Sequence, residues 1–111
     1  GLSEEEMGKM LLESLQHAEV DRDKRALQEA INEANTMVAT AERFIQKNAT
    51  ELNEAEHAKT QVLLAAVRNS LNTNDKDHIL AQVTTLNEYT KPFAERVMDK
   101  AIAVAMKGKK V

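Results

Sequence analysis

Two carboxylate-x-x-His pairs, Glu54…His57 and Asp75…His78, are the residues whose types and spacing could do chemistry. Positions three apart share a helix face, and paired Glu-x-x-His motifs supply ligands in di-iron helical bundles. The same spacing suits helix starts, where acidic residues favour the positive end of the dipole. Both pairs stand in the first turn of a helical pattern rather than in its middle. In an antiparallel hairpin the two starts lie at opposite ends, about 27 Å apart at 1.5 Å per residue. The seam positions that would need partner glutamates hold Leu, Ile, Val and Ala. Helix caps account for the pairs, and no metal site is expected. His17 is solitary and reads as a surface or interface residue. No Gly-rich phosphate loop, nucleophile elbow or Ser/His/Asp set occurs. With no cysteine, thiolate catalysis, disulfides and cysteine-ligated metals are excluded. No catalytic residue, cofactor-binding residue or metal ligand is expected, and the chain does not read as an enzyme.

The elements around these pairs announce their class by what they lack. Of 111 residues, none between Gly8 and Pro92 is glycine or proline. A sheet or α/β domain needs turns, which draw on those two residues. The fold class is therefore all-α, in one domain with a modest core. Aromatics make up only 3%, which argues against binding nucleic acid by base stacking, and the net charge of −3 argues against a broad phosphate-binding face. No apolar run approaches a membrane span, and the acidic start Leu2-Ser3-Glu4-Glu5-Glu6 is the opposite of a secretory signal. No membrane partner is expected. The basic residues Lys107, Lys109 and Lys110 read as a solvated end.

Four helical segments follow. Ser3 can cap the first, with Glu6 three residues later and Leu2 able to staple onto Met7. Met7, Met10, Leu11, Leu15 and Ala18 then fall at three- and four-residue steps. A second helix is expected from about residue 19 to 48, with a seam of Leu27, Ile31, Ala34, Val38, Ala41 and Ile45. Its junction with the first lies near residues 16–20, where no breaker is present. Asn53, with Glu56 at the third helical position, starts a third helix whose buried stripe is Val62, Leu63, Ala66, Val67 and Leu71. Asn74 or Asp75 caps the fourth, which carries Ile79, Val83, Leu86, Thr90, Phe93 and Val97. Pro92 removes a backbone bond toward Glu88 and predicts a kink or break, and Gly108 is a plausible C-cap.

Lengths then point to a partner. The second helix should span roughly 45 Å and the third about 27 Å. A compact domain of this size has a radius of gyration near 13–14 Å. Residues 34–111 can form a three-helix antiparallel bundle, while residues 1–33, a short helix followed by the start of the long one, project from it. Leu2, Met7, Met10, Leu11 and Leu15 are left without internal cover, whereas burying one such side chain is worth about 1.5–3 kcal/mol. A first helix folded back into a four-helix bundle is the alternative.

The run Gly1-Leu2-Ser3-Glu4-Glu5-Glu6-Met7 through Ala18-Glu19-Val20-Asp21 to Glu29-Ala30-Ile31-Asn32-Glu33-Ala34 resembles the C-terminal helical lid of the 70-kDa heat-shock chaperones. The resemblance extends through the Asn74-Asp75-Lys76 helix start. The end, with Arg96-Val97-Met98-Asp99, Ala105-Met106-Lys107-Gly108 and Val111, is similar to the HscA branch, which serves iron–sulfur cluster assembly. The resemblance implies a lid that closes over a client peptide held by a neighbouring β-sandwich. Leu2, Met7, Met10, Leu11 and Asp21 would face that sandwich, with Asp21 at the position of an arginine-pairing lid aspartate. Asn32 matches a recurrent asparagine of the long helix. Asn35 and Ala39 occupy positions where DnaK-like members carry an Asp–His latch, so a weaker latch is implied. ATP and magnesium would belong to a separate ATPase domain, leaving this segment without a cofactor. An HscA-type protein would work with a J-domain co-chaperone and an iron–sulfur scaffold protein. The implied location is the bacterial cytoplasm, with the mitochondrial matrix as the alternative. Without a sandwich the segment is expected to self-associate, by exchange of its first two helices. The rival reading is a free-standing helical-bundle or coiled-coil interaction module.

Overall fold

A computed structural model describes residues 1–108, and the described residues form three helices and one short 3-10 turn, with no strand among them. The expected tail residues Lys109, Lys110 and Val111 lie outside the described residues. Helix α1 (Glu4–Lys47) begins where Ser3 Oγ accepts the Glu6 N–H at 3.1 Å. It then runs unbroken for 44 residues, about 66 Å at 1.5 Å per residue. The junction expected near residues 16–20, and with it the division into a short and a long helix, is absent. No glycine, proline or cap interrupts the backbone ladder there, and nothing packs on this stretch to bend it.

The continuity of α1 has a consequence for where its side chains point. Ala18 ends the first apolar stripe and Leu27 opens the second, about two and a half turns later at 3.6 residues per turn. A half turn of phase places the two stripes on opposite sides of one straight helix. The second stripe packs inward, with Ala30, Ala34, Ala41 and Ile45 buried and Leu27, Ile31 and Val38 half-buried against the core. The first faces away from the bundle, and every residue from 1 to 25 is exposed.

Asn48 ends α1, its side-chain amide donating to the Phe44 carbonyl at 3.0 Å, and the 3-10 turn Ala49–Glu51 leads to α2 (Glu54–Ser70). The capping box expected at Asn53 is present in both directions: Asn53 Oδ1 accepts the Glu56 N–H at 2.8 Å, and Glu56 Oε1 accepts the Asn53 N–H at 3.0 Å. After the turn at residues 71–75, where Asn74 adopts a left-handed φ of 54°, α3 (Lys76–Gly108) begins. Asp75 rather than Asn74 caps it, its Oδ1 accepting the backbone N–H groups of Asp77 and His78.

The three helices pack mutually around Leu64, Val67, Ile79, Val83 and Leu86. Within the stripe expected on α2, Val67 is buried and Leu63, Ala66 and Leu71 are half-buried. Val62 is 65% exposed, and Leu64 takes the fully buried place instead. Two residues turn a helix by about 200°, so these neighbours occupy opposite sides of α2. Buried Thr60 and Ser70 satisfy their hydroxyls by donating to Glu56 and Val67 carbonyls, at 2.7 and 2.6 Å. Of the kink or break expected at Pro92, the break does not occur, and α3 continues through it. Pro92 is on the exposed side, where water can reach the Glu88 carbonyl it leaves unbonded, while Phe93 anchors the next position in the core.

At 82 × 37 × 16 Å, with a Cα radius of gyration of 22.6 Å, the molecule is a rod with its bundle in the middle. The first helix does not fold back to make a four-helix bundle. Residues 1–25 of α1 extend beyond one end, and the exposed residues 98–108 of α3 extend beyond the other.

Candidate functional site

Among the described residues, the exposed large apolar side chains are most numerous on the bare half of α1. Leu2, Met7, Met10, Leu11, Leu12, Leu15 and Val20 are each at least half exposed, with Leu11 at 63%. Of the residues singled out in the sequence, Leu2, Met7, Met10 and Leu11 thus stand together on this projecting arm. Asp21 lies further along it, exposed and with no ion pair among the described residues. The arm is held straight by backbone hydrogen bonds alone, so whatever covers it meets a preformed helix with unbranched, adaptable methionines at positions 7 and 10. Chemically, such a surface can bury apolar area against another body.

Asn35 and Ala39 are exposed and lie on the side of α1 away from the core residues Ala34 and Ala41. Neither carries a charge, so they form no ion pair across that face. Asn32 is exposed too, its Oδ1 accepting from Gln28 Nε2 at 2.9 Å. Between α1 and α3 runs an open groove of about 460 Å³, whose lining includes Asn32, Met37, Thr40, Val83 and Asn87.

One member of each carboxylate-x-x-His pair is engaged in local structure. His57 Nε2 donates to the Ala49 carbonyl at 2.8 Å, while Asp75 caps α3 through its carboxylate. Among the described residues no three His, Asp or Glu side chains gather into a metal-holding group. No helix among them is long and apolar enough to cross a membrane.

At the other end of the bundle sits a polar clasp that the sequence alone did not suggest. Arg96 on α3 donates to the Glu51 carbonyl at 2.6 Å and to Glu56 Oε1 and Oε2 at 3.0 and 3.3 Å. One turn further, Lys100 Nζ donates to Glu51 Oε2 at 2.6 Å. The Arg96 guanidinium, and then the Asn53 N–H, hold the Glu56 carboxyl below its usual range, against a smaller opposing push from desolvation. Behind the clasp Tyr89 and Phe93 meet edge to face, centroids 5.1 Å apart, with Lys59 over the Tyr89 ring. A further ion pair, Arg68 with Glu42, links α2 to α1. The clasp fixes the α1–α2 corner against α3, at the end of the bundle opposite the bare arm.

Comparison with known proteins gives this arrangement a family. The family model described as Hsp70 protein matches residues 1–99. Full-length matches include proteins named chaperone protein HscA homolog from Cupriavidus pinatubonensis, at 36% identity, Cupriavidus metallidurans, at 37%, and Shewanella loihica, at 33%. Each alignment covers all of this chain and 18% of the relative, so the chain spans about a fifth of the length of these curated relatives. A match over that much of the chain, with HscA-like relatives along its entire length, places the protein in the Hsp70 family of chaperones.

Proposed function

We propose that this chain is the lid of an Hsp70-type peptide-binding unit, closing over a client peptide held by a β-sandwich. The observation that carries the reading is the apolar arm of residues 2–20, which the chain's own bundle leaves uncovered. A neighbouring sandwich in the same polypeptide would cover Leu2, Met7, Met10 and Leu11, and Asp21 would offer it a charged contact. ATP and magnesium would be held elsewhere in the longer chain, and this segment would work by covering and uncovering rather than by chemistry. The HscA-like relatives extend the proposal to a role in iron–sulfur cluster assembly, with a J-domain co-chaperone and a cluster scaffold protein as partners, in the bacterial cytoplasm. With Asn35 and Ala39 at the outer-latch positions, the lid would open faster than in DnaK-like chaperones.

The test uses the natural protein that carries this segment. Its mass in a source-cell lysate should be several-fold greater than that of this chain. Release of a fluorescent client peptide from its ADP state should accelerate in Met10→Asp and Leu11→Asp variants that retain ATPase activity. A natural protein no longer than this chain would favour the free-standing helical interaction module, and unchanged release in both variants would remove the lid role.

A further inference from the structure

The groove between α1 and α3 continues into a second hollow of about 240 Å³, and the two share Met37, Thr40 and Asn87. Its floor is apolar, with Ala41 and Val83 buried and Met37 and Phe44 half-buried. Its walls carry hydroxyls and an amide: exposed Thr36 and Thr40 on α1, exposed Thr84 and Asn87 on α3. Among the described residues these four side chains have no hydrogen-bond partner within the chain. Charge enters the lining only through Glu33 at one end and Lys91, beside Ala41, toward the other. Neither is in an ion pair among the described residues. The flank of α1 keeps the same order, with Glu29 one turn before Glu33, and Arg43 and Lys47 beyond Thr40. On α3, Glu88 and Glu95 lie further round the helix, on the solvent side of Lys91.

We propose that this groove binds an extended peptide segment of another molecule, with apolar side chains at positions i and i+2 flanked by one basic and one acidic residue. The unbonded hydroxyls and amide decide against a helix. A helix spends its N–H and C=O groups on itself, so one laid in the groove would strip water from these walls and return no backbone partner. An extended chain presents a free N–H and C=O at each residue, which threonine and asparagine can bond from either side. Spacing agrees. The two hollows are centred about five residues apart on either helix, roughly 8 Å, and alternate side chains of an extended chain stand about 6.6 Å apart. Ala41 lies about 12 Å beyond Glu33 along α1, a distance that four extended steps cover at about 13 Å. The inference does not rest on the lid reading, because the groove belongs to the bundle and not to the arm.

Amide chemical shifts of the 111-residue chain report the site directly. The pentapeptide Lys-Leu-Ser-Leu-Asp, acetylated and amidated at its ends, should move residues 36–44 and 83–94 saturably and leave residues before 25 in place. Met37→Glu should weaken binding at least about tenfold. At exposed positions, where the bundle's thermal unfolding should not change, Asn87→Ala should weaken it about threefold or more. Glu33→Lys should transfer the preference to a peptide with aspartate at both ends. No saturable shift up to millimolar peptide overturns the proposal, as do shifts confined to the arm or affinities unchanged in both Asn87→Ala and Glu33→Lys. Tighter binding of a helix-locked peptide with leucines four residues apart would give the groove to a helix. Groove shifts that follow the chain's own concentration would give it to a second copy, and either result overturns the proposal.

Discussion

Arg96, Glu51, Glu56 and Lys100 come from three separate elements, yet their hydrogen bonds close one end of the bundle. Glu56 serves twice there, capping α2 and receiving the Arg96 guanidinium, and its carboxyl is held below its usual range. A carboxyl whose folded pKa is depressed contributes stability above its unfolded pKa and loses it as pH falls through the folded value. The melting temperature should therefore drop between about pH 5 and pH 3, and the drop should be shallower in Glu56→Gln, which cannot ionise. Equal slopes for the two proteins in a calorimetric pH series would show that Glu56 is not the coupled group. The capping half of this role was legible in sequence, because Asn53 and Glu56 are neighbours whose types define a helix start. The Arg96 half was not, since its partners lie 40 and 45 positions away and only packing decides which carboxylate it meets.

Among the elements, α1 shows where local rules end. Its residues from 27 to 45 are clamped by the core, whereas residues 4–25 are helical only by continuation. Isolated helices of that length are marginal in water, and Gly8 costs roughly a further 1 kcal/mol relative to alanine. Amide hydrogen exchange in dilute solution should thus be at least about a hundredfold faster before residue 25 than over residues 30–45. Uniform protection along α1 would mean that something covers the arm. In α3 the proline sits in an unbroken helix, tolerated on the exposed side but without a hydrogen bond to Glu88. Pro92→Ala should restore that bond and stabilise the bundle by about 1–3 kcal/mol, read from the denaturant midpoint. A destabilised variant would show that the proline's backbone constraint is itself required.

The molecule as a whole is a rod because its longest helix outruns its neighbours. A compact chain of this size would have a radius of gyration of about 13 Å, against the 22.6 Å of this fold. Small-angle scattering extrapolated to zero concentration should return a value near the larger figure. A value near the smaller one would mean that the arm folds back onto the groove between α1 and α3. The two projecting ends also differ in their surroundings: the start of α1 carries Glu4, Glu5 and Glu6 beside its methionines and leucines, while the end of α3 presents Met98, Ile102, Val104 and Met106 near Lys100 and Lys107.

The sequence by itself determined the all-α class, the caps at Ser3 and Asn53, the alternation of the core seam from Ala34 to Ile45 and the presence of an uncovered arm. All of these follow from contacts between residues a few positions apart, or from counting turns along one helix. Tertiary structure alone decided that Leu64 rather than Val62 enters the core and that Arg96 closes the corner. Each of those depends on the phase at which separate helices meet. Phase is set by the summed packing of every facing side chain, which no short stretch of sequence contains.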